Sequence, residues 1–348
     1  MLGTGPTTTP VTFARGCASQ NKSLDVAVDV VKSQLTRELL DGLRGRSLLF
    51  AGIGASSAAI GTPVYQLRTG GVRASRSDCA DVPAGAPALA DVYLAVSQSG
   101  RSRETNQLLL STKGVSTVAI TNSSNNPLLA ISDTAISVGN FVDSRVSSIG
   151  FTATLVALGM LSEAILTGEP DASWGRAIES LAATLDSAEE SLQIFSADIA
   201  EAGQVDVVAE APQITSAEQS ALLFREGPRV PSTSMSTRCY LHGPMDSSGR
   251  RTSHVLLGRR REGLLAEQLA ERRVPILMLT DSDTMAPARI IRIPDGFTAS
   301  QRSLIEIVLM QRLVTLVGAA NGIDIDAAVF RRFDTKVDSI EEVRRARV

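Results

Sequence analysis

Val96-Ser97-Gln98-Ser99-Gly100-Arg101-Ser102 is the stretch on which the reading of this chain turns. The run Asp91-Val92-Tyr93-Leu94-Ala95, apolar after its first residue, precedes it, and a segment with helical spacing, Arg103 to Lys113, follows. The stretch is therefore a serine-rich loop between a strand and the start of a helix. The first turn of a helix leaves backbone N–H groups unpaired, and the aligned peptide dipoles favour negative charge there. Short hydroxyls add donors without the bulk that would hold a phosphate off the backbone, so the loop reads as a cradle for a phosphorylated small molecule. Serine is also an ordinary N-cap. A second loop, Gly52-Ile53-Gly54-Ala55-Ser56-Ser57, follows another short apolar strand, Ser47 to Ala51. Ligands of open α/β sheets lie beyond the carboxyl ends of the strands, so two such loops point at one crevice.

Outward from these loops the pattern is strand and helix in alternation. Strands are expected at Ser47 to Ala51, Val72 to Ser75, Val92 to Val96, Ser116 to Ile120 and Thr134 to Val138, after a helix over Ser23 to Leu43. Helices over Gly150 to Leu166 and Trp174 to about Ile199 lead to a second unit. Its strands are Val205 to Ala209, Ser253 to Leu257, Val274 to Leu279 and Arg289 to Ile293. Val118-Ala119-Ile120-Thr121-Asn122-Ser123 and Leu277-Met278-Leu279-Thr280-Asp281-Ser282 echo each other, which implies a duplicated parallel-sheet unit. The copies differ where chemistry sits. Gly258-Arg259-Arg260-Arg261-Glu262-Gly263 replaces the serine loop, so one half binds and the other completes the site; the arginine run reads as a solvated turn.

Composition narrows the function classes. A chain of 348 residues that is 43% hydrophobic can supply two cores. Aromatics at 4% and a net charge of −3 leave neither stacking platforms nor a basic surface, so nucleic acid is not an expected partner. Three scattered cysteines, Cys17, Cys79 and Cys239, fit a reducing compartment, and Met1 to Gln20 has no secretory pattern, so the cytoplasm is the expected location. The apolar segment Ile149 to Ser162 falls short of the roughly 20 residues a membrane span needs and reads as a buried helix.

Gly54-Ala55-Ser56, Ser97-Gln98-Ser99-Gly100, and Glu226-Gly227-Pro228 with His242-Gly243-Pro244 sixteen positions after the glutamate together resemble the sugar isomerase (SIS) domain family. The resemblance is to its tandem form, the isomerase half of glucosamine-fructose-6-phosphate aminotransferase and related phosphosugar isomerases and deaminases, and runs from about Ser47 to the tail. It implies two tandem SIS domains, each a parallel sheet in a flavodoxin-like three-layer α/β/α arrangement. The boundaries are 1–44 for an N-terminal tail and helix, 45–168 for the first domain, 169–203 for a linker helix, 204–320 for the second domain and 321–348 for a tail over the active site. Gly54, Ser56, Ser97, Gln98, Ser99 and Ser102 are implied to hold the sugar phosphate and Ser147 to contact the sugar. Glu226 is implied to move the proton, His242 to open the ring, often from across a homodimer, and Lys336 to close over the substrate. Ser102 stands in place of a threonine, and Cys239 in place of a glutamate. The sequence carries no cysteine at position 2 and no amidotransferase segment before Ser47, so glutamine-dependent chemistry is not implied.

The chemistry of the residues agrees. Aldose–ketose interconversion needs a carboxylate that carries a proton between adjacent carbons through an ene-diol. Glu226 ends a helical stretch, Ser216 to Arg225, that Pro228 stops, which stands it at an element end. His242 offers an imidazole that can shuttle the ring-opening proton, whereas His254 lies within a strand. Cys239 and His242 lack further ligands for zinc, and serine replaces the third glycine of a dinucleotide fingerprint, so neither metal nor cofactor is expected. The expected function is a hexose- or hexosamine-6-phosphate isomerase or deaminase. The alternatives are a non-catalytic phosphosugar-binding regulator and a deglycase of sugar-phosphate amino-acid adducts.

Overall fold

Alternation of β-branched and leucine-rich runs with helical spacing produces two parallel sheets. The computed structural model describes residues 11–345. Helices α1 (Phe13–Ala18), α2 (Gln20–Gln34) and α3 (Arg37–Asp41) lead into β1 (Leu48–Gly52), α4 (Ala55–Thr69), β2 (Ala74–Asp78), β3 (Val92–Val96), α5 (Arg103–Ser111), β4 (Ser116–Thr121) and β5 (Thr134–Ser137). Two long helices follow, α6 (Ile149–Thr167) and α7 (Trp174–Ala202). The second unit comprises β6 (Val205–Ala209), α8 (Ile214–Glu226), β7 (Ser232–Ser236), α9 (Thr237–Tyr240), β8 (Ser253–Leu257), α10 (Arg260–Ala270), β9 (Ile276–Thr280), β10 (Arg289–Arg292) and α11 (Ala299–Ala320), and the chain runs on to α12 (Ile340–Arg345).

The strand orders are β2-β1-β3-β4-β5 and β10-β9-β8-β6-β7, every pairing parallel. Renumbered within each half, both are the 2-1-3-4-5 order of flavodoxin-like folds. The echo extends to single bonds. The Ser123 N–H donates to Thr121 Oγ1 at 3.4 Å, and the Ser282 N–H donates to Thr280 Oγ1 at 3.1 Å, at the ends of β4 and β9.

The two cores expected from composition are one. Leu24, Ile60, Leu155, Phe195, Phe224 and Leu309 belong to a single cluster that joins both halves, with α4, α6, α7, α8 and α11 between the sheets. Smaller apolar layers cover the outer face of each sheet, around Tyr93 and Leu109 in one and Tyr240 and Leu269 in the other. The expected linker helix is α7, which is part of this core through Ile178, Leu192 and Phe195. Helix α6 is longer than the apolar run that predicts it and passes the length needed to cross a bilayer. Its most apolar window is 94% buried within the protein, so burial and not length explains its composition. The single helix expected over Ser23 to Leu43 breaks at Leu35–Thr36, and within the expected N-terminal tail Phe13 is a buried core residue. Residues 1–10 of that segment lie outside the described residues.

Candidate active site

Strands β1 and β3 are neighbours, with Leu48 abreast of Val92 and Ala51 of Ala95, so their loops start side by side where the strand order reverses. Ser97 is buried, and its hydroxyl donates to Ser102 Oγ at 3.2 Å. Ser99 Oγ accepts the Arg101 N–H at 3.3 Å. Between them Gly100 has φ 63°, and a Cβ there would fall 1.9 Å from Asn126 Oδ1; both the backbone twist and the close approach require glycine. Gln98 reaches towards α6, since a Cβ added to Gly150 would meet its Nε2 at 2.8 Å. Gly54, with φ 59°, starts α4 without a side-chain cap and borders a cavity of about 470 Å³ with Ser57, Arg76, Asp78 and Arg225. Ser56 is half-buried in the first turn of α4.

The C-terminal segment pairs with the serine loop. The Arg103 N–H donates to the Thr335 carbonyl at 3.2 Å and the Val337 N–H to the Arg101 carbonyl at 2.9 Å, an antiparallel bridge that sets Ser102 opposite Lys336. Arg103 also pairs with Asp334 at 2.7 Å and reaches Glu342 at 3.5 Å, Arg101 pairs with Asp338, and Val337 and Val343 are buried beneath. The Lys336 ammonium thereby donates to Ser99 Oγ at 2.9 Å. Desolvation by the loop lowers its pKa, and the Arg332 and Arg101 guanidinia push the same way against Glu104.

Glu226 is the last residue of α8, which Gly227 and Pro228 end. Its carboxylate is a quarter exposed and accepts from Arg332 Nη2 at 2.9 Å, on the wall of a cavity of about 430 Å³. Arg145 fastens the neighbouring backbone, donating to the carbonyls of Glu226 at 3.1 Å, Ile325 at 2.5 Å and Asp326 at 3.2 Å. Ser147 Oγ is turned to Asp143 Oδ2 at 2.6 Å, and Asp143 Oδ1 takes the Ser148 N–H and hydroxyl, each at 2.9 Å. Arg332 and Lys336 are four residues apart, so their Cα atoms are at most about 14 Å from each other. The carboxylate of Glu226 and the hydroxyl of Ser99 therefore lie at the two ends of one short stretch of tail.

His242 stands apart from this group. It is exposed in the turn after α9, and its N–H donates to the Cys239 carbonyl at 3.1 Å. Beneath it, Tyr240 Oη and Ser248 Oγ both bond His254 Nε2, at 2.9 and 3.1 Å, and Tyr240 Oη donates to Asp206 at 3.0 Å. Burial lowers the His254 pKa to about 4, against the pull of Asp206. The arginine run is exposed, as expected, but Arg259 is not free: it pairs with Asp281 at 2.7 Å and Glu210 at 3.3 Å, in front of buried Arg302 and Glu306. This ion-pair group occupies the second sheet's reversal point, which corresponds to the serine loop of the first.

Chains of known structure share this architecture. The C-terminal domain of glucosamine-fructose-6-phosphate aminotransferase from Francisella tularensis superposes with a TM-score of 0.77 at 16% identity, over 93% of this chain and 100% of that one. The chain has the fold of SIS-domain phosphosugar isomerases. Tagatose-6-phosphate ketose/aldose isomerase from Escherichia coli aligns at a TM-score of 0.73 and 14% identity, over 94% of this chain and 100% of that one. Glucosamine-6-phosphate deaminase from Thermotoga maritima aligns at 0.70 and 18%, over 89% and 98%. No family model and no curated protein matches the sequence.

Within this SIS fold, sequence reasoning missed three residues of the site, Asp143, Arg145 and Arg332. Asp143 carried a signal in principle, as an acid placed to take N–H groups at the start of α6. Arg145 and Arg332 are surface arginines by local sequence, and only the tertiary course of the tail gives them their partners.

Proposed function

We propose that the protein is a phosphosugar isomerase or amino-sugar-phosphate deaminase, built of tandem SIS domains at 45–168 and 204–320 and acting on a hexose- or hexosamine-6-phosphate in the cytoplasm. The observation that carries this reading is the tail segment that joins Arg332 at Glu226 to Lys336 at Ser99. In this reading Ser97, Gln98, Ser99, Ser102 and the N-terminal end of α5 hold the phosphate, with Gly54 and Ser56 beside them at the neighbouring strand end. Lys336 adds a cation to the phosphate from the tail side. Ser147, released from Asp143, contacts the sugar.

Glu226 then takes the proton from one carbon of the opened sugar and returns it to its neighbour through an ene-diol. Arg332, beside the same carboxylate, stabilises the oxygen that gains negative charge. His242 is exposed and, among the described residues, makes no hydrogen bond to this group, which suits a histidine contributed to the site of a second copy in a homodimer, where it opens the ring. A panel of hexose and hexosamine 6-phosphates, assayed for isomerisation and for ammonia release, tests the proposal. Turnover of at least one member is expected, and full turnover by Glu226→Gln would refute the assignment of the base.

A further inference from the structure

The cavity beside Glu226 carries more positive charge than a neutral sugar needs. Arg145, Arg225, Arg229 and Arg332 line its wall, and among the described residues the only carboxylate paired with any of them is that of Glu226. The two acids of the backbone segment that Arg145 and Arg229 hold are occupied elsewhere: Asp326 accepts the Phe13 N–H at 2.9 Å and Asp324 accepts the Asp326 N–H at 2.9 Å. Arg145 and Arg229 are held in place by backbone carbonyls, Arg229 by that of Ala327 at 3.0 Å, so their charges are fixed without being neutralised. Arg229 takes φ 60°, a left-handed conformation that costs a non-glycine residue energy and is retained where the surroundings demand it. Arg225 is exposed and, among the described residues, makes no ion pair. Phe330, 82% exposed, adds an apolar surface to the same cavity.

None of the serine-loop residues lines this cavity. A ligand whose phosphate sits in that loop and whose carbonyl end meets Glu226 has the cavity free for whatever it carries beyond. Resting on the phosphosugar reading above, we infer that the substrate bears a second anion, a carboxylate at the end remote from its phosphate, which the Arg225 and Arg229 side of the cavity receives. Guanidinium forks match carboxylates by geometry as well as by charge. At about 430 Å³ the cavity holds a substituent of several heavy atoms, and its apolar wall suits an amino acid joined through nitrogen to the sugar. A sugar acid offers the same carboxylate on the sugar carbon itself.

The test is calorimetric binding to the full chain of fructose 6-phosphate, of its 1-deoxy-1-valine adduct and of 6-phosphogluconate. The wild type is expected to bind the adduct, or 6-phosphogluconate if the carboxylate belongs to the sugar, about tenfold or more tighter than fructose 6-phosphate, as a charge-assisted hydrogen bond implies. Arg225→Gln and Arg229→Gln, each checked for folding by thermal unfolding, should bring that ratio towards one. If both carboxylated ligands bind no tighter than fructose 6-phosphate while Ser99→Ala weakens all three, the second-anion inference fails and the phosphosugar reading stands. If the wild type binds none of the three, the phosphosugar reading itself fails.

Discussion

Acid should destabilise the fold through the buried imidazole that packs under the turn carrying His242. His254 has no solvent exposure, and its Nε2 is shared by Tyr240 and Ser248, which bracket that turn. Its pKa is about 4 in the folded protein against 6.5 for a free imidazole. The folded state therefore keeps the ring neutral in a range where the unfolded chain binds a proton. Above pH 6.5 neither state is protonated and the group has no effect. As pH falls from about 6.5 to about 4 the unfolded state gains the proton first, and stability is lost, by about 3 kcal/mol for a shift of this size. The assay is urea unfolding at a series of pH values for the wild type and for His254→Gln. The substitution lowers stability at pH 7 through lost bonds, but the quantity of interest is the slope: the wild type should lose about 3 kcal/mol more than the variant between pH 7 and pH 4. Equal slopes in the two proteins would refute the placement of a neutral buried imidazole under the turn.

Other perturbations act on the tail and the serine loop. Lys336→Met removes the ammonium at Ser99 and should weaken phosphosugar binding about tenfold with little change in thermal stability, read by calorimetry. Gly100→Ala forces a left-handed alanine against Asn126, whose amide also holds the Leu129 and Ser123 backbone; a loss of about 2–4 kcal/mol in denaturant unfolding is expected. Arg103→Ala removes the guanidinium that holds two tail carboxylates, Asp334 and Glu342, so limited proteolysis should cut within 330–345 faster than in the wild type, and phosphosugar affinity should fall with it.

The architecture was legible wherever strands are buried on both faces. Val92–Val96, Val205–Ala209 and Ser253–Leu257 are continuous apolar or half-apolar runs, and each strand appears at the residues the pattern marks. Of the edge strands, β5 and β10 lie where expected, but β7 and β2 were harder to read. Ser232–Ser236, Ser-Thr-Ser-Met-Ser, pairs only with β6 and carries no apolar alternation, so nothing local announces it, and β2 lies two residues later than expected for the same reason. The site divides similarly. Ser97, Ser99 and Gly100 follow from the chemistry of a helix N-terminus, and Glu226 from a helix that proline stops. Arg332 gains its role from a contact more than a hundred residues away, and the sequence does not mark it as different from any surface charge, whereas Asp143 acts five residues away at the start of α6. The shared core was illegible because hydrophobic spacing says which face of a helix is buried and not which sheet lies against it.

A crystal structure with fructose 6-phosphate or glucosamine 6-phosphate bound tests the central claim most directly. The account predicts the phosphate within hydrogen-bond distance of Ser99, Ser102 and the Lys336 ammonium, and the Glu226 carboxylate about 3–3.5 Å from the first or second sugar carbon. A phosphate bound away from the serine loop, or a sugar whose carbonyl end lies beyond the reach of Glu226, would contradict it.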